Sequence, residues 1–127
     1  MVGYAYTTNV INSTFTGIIP FDDTVPQNTE GAEIMNVTIT PKSATDLLEV
    51  EGIVHYAEVS NSSDFFVLAG FKDSTVSAFA ATASNTAGTS CSPSSGYTYL
   101  CQATFKAIIP AGTTSPTVIR LRGGING

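Results

Sequence analysis

At 127 residues with a formal net charge of −5, the chain has the length of one domain, yet only 12% of its residues are charged, about half the usual share of roughly a quarter. It has no tryptophan and no basic patch, which disfavours a nucleic-acid partner. No apolar run approaches the roughly 20 residues that cross a bilayer, which excludes a membrane-spanning helix.

With so few charges, the surface must be wetted by Thr, Ser and Asn, which recur throughout. Thr favours strands, and Ser and Asn favour turns. This composition is common in secreted and virion β-proteins. The opening "MVGYAYTTNVINS" has no positively charged stretch and no apolar stretch, so no signal peptide is visible. Nine of the ten acids lie in residues 1–64, and four of the five bases lie at or after Lys72.

No segment keeps an i, i+3, i+4, i+7 apolar pattern for three turns, whereas period-two alternation recurs. The whole chain, 1–127, therefore reads as one all-β domain of about eight strands, without helices between them. Strands are expected at 3–10 and 14–19. The next stretch, "IIPFDDTVPQNTEG" at 18–31, offers Asp22, Asp23, Glu30 and nearby Glu33. The spacing fits no EF-hand loop, and adjacent carboxylates in a strand or turn point apart, which suits no acid/base pair. Beside Pro20 and Pro26 these acids read as acceptors for backbone N–H groups in a stiff corner.

The segment 34–40 alternates, with Met35, Val37 and Ile39 inward. "TPKSATD" at 40–46 is a turn. The strand at 47–58 places His55, the single histidine, on the same face as Glu49, Glu51, Ile53 and Ala57. No second histidine and no G-x-S-x-G support a nucleophilic site, so His55 reads as partly exposed or at an interface, where it could make a pH-sensitive contact. "SNSSD" at 60–64 is a polar loop tip. Three sequons begin at Asn12, Asn36 and Asn61; they are candidate glycosylation acceptors only for an exported chain.

"FFVLAGFK" at 65–72 does not alternate. Both of its faces are apolar, which predicts cover on both sides by a second sheet or a neighbouring subunit. Phe65, Phe66, Val67 and Leu68, with His55, are the candidate interface. A further strand is expected at 75–83. In "TSCSPSSGYTYLCQ", Cys91 and Cys101 flank a Pro/Ser/Gly turn. Outside a cell they form a candidate disulfide, and inside one they are two buried thiols. Two cysteines and one histidine do not make a four-ligand zinc site.

The strand at 97–109 is the clearest. Tyr97, Tyr99, Cys101, Ala103, Phe105, Ala107 and Ile109 face the core, and the residues between them mostly face solvent. "IPAGTTSPT" at 109–117 turns into a last strand at 116–122. "RLRGG" at 120–124 lacks the helix and loop pattern of an anion site, so Arg120 and Arg122 read as a solvent or interface face. Strands spaced this regularly imply a β-sandwich or jelly roll.

Several of these segments, taken in order, resemble a known family. "IPFDDTVPQNTEGAEIMNVTITPKSATDLLEVE", "FKDSTVSAFAA" and "AGTTSPTVIRLRGG" are similar to a recurrent terminal β-module of tailed-phage tail-fibre and tail-spike proteins, and the similarity covers nearly the whole chain. The resemblance implies a jelly-roll-like antiparallel sandwich, a trimer, and a role in virion architecture or host attachment. It implies no catalytic residue, cofactor or metal. The chain departs from the family in three ways. It begins at the first strand without a shaft, it stops at "GGING" where relatives continue, and the pair Cys91/Cys101 is not a family feature.

A sandwich lacking a last strand has an open groove that a neighbouring chain fills. The expectation is thus a non-enzymatic virion or extracellular domain. Its partner is itself, as a trimer or filament, with a cell-surface glycan or protein receptor as a further partner. The alternative is a self-assembling subunit, either a capsid-decoration (cement) protein or an extracellular filament protomer joined by strand donation. A carbohydrate-active enzyme or lectin is less well supported, with no carboxylate pair suited to glycoside cleavage and no Trp platform.

Overall fold

The computed structural model describes residues 3–8, 14–20, 22–57, 65–85 and 101–126. Among these residues six strands form: β1 (Ala32–Ile39), β2 (Leu47–Tyr56), β3 (Phe65–Lys72), β4 (Ala80–Asn85), β5 (Cys101–Pro110) and β6 (Thr117–Ile125). No helix forms among them. One sheet has the order β1-β6-β3-β4 and the other is the pair β2-β5. All ladders are antiparallel, and the pairing is nested: β1 with β6, β2 with β5, β3 with β4. A further ladder joins β3 to β6.

Alternation builds the smaller sheet. On β5, Ala103 and Ile109 are buried, Cys101, Phe105 and Ala107 are half-buried, and Gln102, Thr104, Lys106 and Ile108 are exposed. On β2, Leu48, Gly52 and Val54 are buried, whereas Leu47, Glu49, Glu51, Ile53 and His55 face solvent. The two strands pair without a register break from Leu47 opposite Pro110 to Tyr56 opposite Cys101. Their apolar faces close onto the larger sheet. Leu48, Ile109 and Ile119 form one end of the shared core, and Val54, Leu68, Ala103 and Leu121 the other. Aromatic contacts tie the layers together: Tyr56 stacks on Phe66 at 4.2 Å, and Phe105 meets Phe79 edge-on at 6.1 Å.

The central strand β3 is covered on both faces. Leu68 points between the sheets. Val67, Ala69 and Phe71 point the other way and pack with Ile19 and Ala78. Cover on that outer face therefore comes from the chain's own residues around 17–31, here called the strap, and not from another sheet or subunit. Of the candidate interface residues, Val67 and Leu68 are thereby covered within the chain, whereas His55 is exposed. Val67 is 4% exposed and Leu68 0%, so neither is available to a partner, while Phe65 and Phe66 are half-buried.

The amino-terminal expectations also change. Residues 3–8 and 14–17 form no ladder, and Ile18 makes one isolated parallel bridge to Ile125. Ile19 N–H donates to the Ile125 carbonyl at 2.9 Å. Pro20 follows and has no N–H, so the pairing stops there. The strand expected at 75–83 begins only at Ala80, because its first residues pair with the strap. Asn28 N–H donates to the Val76 carbonyl at 2.7 Å, and Ala78 N–H to the Pro26 carbonyl at 2.9 Å.

Met35, Val37 and Ile39 point inward as expected, but all three are only half-buried. The register breaks between Glu33 and Met35, and this bulge lets Ile34 and Met35 both pack towards the core.

Ile19 is 0% exposed and its neighbour Ile18 is 51% exposed. Ile19→Ala should therefore cost about 2–5 kcal/mol in urea unfolding, while Ile18→Ala should stay within about 1 kcal/mol of wild type. Equal midpoints for the two variants would refute the strap as a structural cover.

Candidate functional site

The strap's acids serve its own backbone. Asp22 Oδ1 accepts from Thr24 N–H at 2.8 Å and from the Thr24 hydroxyl at 2.6 Å, closing an Asx turn. The Thr24 hydroxyl, and then the Thr24 N–H, hold the Asp22 carboxyl below the usual aspartate value. Glu30 Oε2 accepts from Gln27 N–H at 2.8 Å. Glu33 instead pairs across the ladder with Arg120 Nε at 3.0 Å, and Asp23 is exposed. Among the described residues no three His, Cys, Asp or Glu side chains are grouped to hold a metal ion.

For Arg120 and Arg122, expected on a solvent or interface face, the structure shows contacts within the chain. Both lie half-buried on the outer side of β6, next to Phe71 and Ala69 in register. Arg122 donates through Nε to the Glu30 carbonyl at 2.7 Å and through Nη2 to the Gly31 carbonyl at 2.9 Å. Arg120 Nη1 donates to the Asp73 carbonyl at 2.6 Å. The glycines after them give the strap room to approach. A Cβ on Gly124 would stand 2.7 Å from the Gly17 carbonyl oxygen, and Gly31 turns with φ +64° where a Cβ would meet Ile19 Cγ1 at 2.7 Å.

Two further residues, Lys72 at the end of the expected strand 65–72 and Asp73 after it, carry no functional reading in the sequence. Asp73 has φ 51°, a left-handed conformation that Asp tolerates. Its Oδ1 accepts from Val118 N–H at 2.8 Å, which ties the β3–β4 turn to β6. Lys72 Nζ donates to the carbonyls of Pro110 and Ala111, the former at 3.0 Å. No local pattern announces either role, since their partners lie 38 to 45 residues away.

These groups surround an open hollow of about 480 Å³ lined by Asn28, Glu33, Asp73, Ser74, Arg120 and Arg122, beside Phe71. Its charges are already engaged. Each guanidinium holds carbonyls, Glu33 holds Arg120, and Asp73 holds β6. The arrangement clamps loops and aligns no nucleophile with a base.

The remaining candidates are dispersed. His55 is exposed on β2 opposite Gln102. On the same face Lys106 pairs with Glu49 at 2.7 Å; the Glu49 carboxylate raises the Lys106 pKa, and an ion pair this exposed contributes little. Leu47, Ile53 and Ile108 are also exposed on that side, by 70%, 48% and 63%. Asn36 is exposed on β1. Cys101 is disulfide-bonded. Cys91, Asn12 and Asn61 lie outside the described residues.

A second hollow, about 140 Å³, lies between β1 and β2. It is lined by Ala5, Tyr6 and Thr7, by Met35 and Val37 of β1, and by Val50 and Glu51 of β2.

Arg122→Ala should leave the Glu30 and Gly31 carbonyls without their donor and cost roughly 2–3 kcal/mol in urea unfolding. Arg122→Lys should recover only part of this, because an ammonium lacks the planar fork. A midpoint unchanged in Arg122→Ala would refute the clamp. The folded Asp22 carboxyl titrates below its unfolded value. Its stabilising contribution is thus present above the unfolded value and lost as pH falls through the folded one. In an NMR titration Thr24→Ala should move the Asp22 midpoint upward, towards an ordinary aspartate. Identical midpoints in wild type and variant would exclude the Thr24 hydroxyl as the cause.

Compared with known proteins, the chain matches no family model, no curated protein and no solved structure.

Proposed function

We propose that this chain is a non-enzymatic virion structural and adhesion domain, the head of a phage tail fibre or tail spike, acting as a homo-oligomer outside the cell. The observation that carries the reading is the use of the family-like segment 18–31. Its Asp22 and Glu30 carboxylates, the Pro26 carbonyl and Gly31 are engaged in seating a strap across β3 and β6. That is the work of an architectural motif. The nested pairing of β1 with β6, β2 with β5 and β3 with β4 supports a jelly-roll-like connectivity, since a jelly roll is a long antiparallel hairpin folded over on itself. Host attachment would use a cell-surface glycan or protein receptor.

A second reading is supported by the hollow between β1 and β2. A self-assembling subunit, capsid cement or extracellular filament protomer, would use such an opening to join copies by strand donation.

Light scattering coupled to size exclusion tests both readings, with an oligomer expected and a stable, non-associating monomer as the opposing result. Electron microscopy then separates them. Discrete trimers that bind host cells favour the fibre head, and helical polymers or binding to a capsid lattice favour the subunit.

A further inference from the structure

The two sheets are unequal, four strands against two. On the side where β4 approaches β5 they meet. On the other side β1 and β2 each end a sheet, with no strand paired to their outer edges among the described residues. The consequence is visible in β1, whose inward Met35, Val37 and Ile39 remain half-buried. A third strand beside β2 would complete the smaller sheet beneath them. On β1, Met35–Thr40 carries neither a charge nor a proline, while β2 carries Glu49 and Glu51 on its solvent face; neither strand holds a proline that would block pairing at its edge.

The chain contains a segment suited to that place. Residues 3–8, "GYAYTT", alternate and carry no charge. They form no ladder, although Ala5, Tyr6 and Thr7 reach the hollow. Tyr4 and Tyr6 stack on each other at 6.3 Å yet stay 83% and 78% exposed. Among the described residues, a single copy thus holds a strand-patterned arm without a ladder beside a strand edge without a paired neighbour, with two large aromatic rings in water.

We infer that residues 3–8 of a second copy occupy the position beside β2, as a third strand of the smaller sheet, with Tyr4 and Tyr6 turned towards Met35 and Val37. Backbone bonding to the β2 edge supplies the attachment, and the alternation of the arm sets its register. Exchange of arms gives every copy one donated and one accepted strand, so the contact closes into a discrete oligomer or propagates according to its symmetry. This inference rests on the homo-oligomeric reading above and adds the segment and the strand edge that join the copies.

The test uses the full chain, a variant lacking residues 2–8, and single-cysteine variants Thr7→Cys and Glu51→Cys mixed under mild oxidation. Thr104→Cys, on the exposed face of β5, replaces Glu51→Cys as the control. The expected result is an oligomer whose mass falls to that of one chain without the arm, with the urea midpoint showing that the shortened chain still folds. A disulfide linking two copies should form between Thr7→Cys and Glu51→Cys at several times the yield of the Thr104→Cys control. An oligomer that survives removal of the arm, or equal yields in the two mixtures, overturns the inference while leaving the homo-oligomer in place. A full chain that is a monomer at all concentrations overturns both.

Discussion

A strand that is apolar on both faces has to be covered on both, and β3 imposes that condition on everything around it. Its inner residues are satisfied by the second sheet in the ordinary manner of a sandwich. Its outer residues, Val67, Ala69 and Phe71, have no second sheet to meet, and the chain answers with a non-repetitive strap. Ile19 supplies the apolar contact, an interaction on the order of 2 kcal/mol for one buried side chain. A lone side chain cannot hold a loop in place against its conformational entropy. The strap is therefore bonded along its length, through Ile19 to Ile125, through Pro26 and Asn28 to Ala78 and Val76, and at its far end by Arg122 gripping the carbonyls of Glu30 and Gly31.

From that requirement follow the residues that look most like chemistry in the sequence. Asp22 and Glu30 stand where the strap bends and its N–H groups have no sheet partner, so carboxylates accept the bonds that a ladder would otherwise provide. The Arg-x-Arg-Gly-Gly stretch alternates for the same reason. Arginines on the outer side of β6 reach across to the strap, Ile119 and Leu121 on the inner side enter the core, and the glycines allow the backbone of the strap to approach. What resembles a carboxylate pair and an anion loop is one set of fastenings viewed in two places.

How much of this was readable depends on distance along the chain. The faces of β5 were legible because alternation is a local property, and β3 was bounded to the residue because apolar content ends abruptly at Lys72. The acids at 18–31 were legible as turn acceptors because their partners lie two or three residues away. The partners of the arginines were not legible because they lie 91 and 92 residues away for Arg122 and 47 for Arg120. The double apolar character of β3 was correctly seen, and its outer cover misassigned to a second sheet or subunit, because composition shows that a face must be buried without showing what buries it. "GYAYTT" has the pattern of a strand, but a pattern cannot provide the edge to pair with.

The unequal sheets connect that last point to assembly. Inward side chains on a complete sandwich sink below water contact, as Leu48, Val54, Ala103 and Ile109 do. Met35, Val37 and Ile39 of β1 stop halfway, packed against the edge of the core beside the second hollow. At about 25 cal/mol per Å² of apolar surface, side chains left partly wet forgo part of the stabilisation that full burial would give. A strand-forming segment without a ladder partner adds the desolvation of its own backbone groups to the cost of burying it alone. Both deficits are removed by one contact if an edge and an arm meet, and neither is removed by packing side chains onto a flat surface. Association through a strand edge therefore serves this fold better than association through the exposed face of β2 and β5, where Leu47, Ile53 and Ile108 are scattered among Glu49, Glu51, Lys106 and His55 and the backbone is already paired.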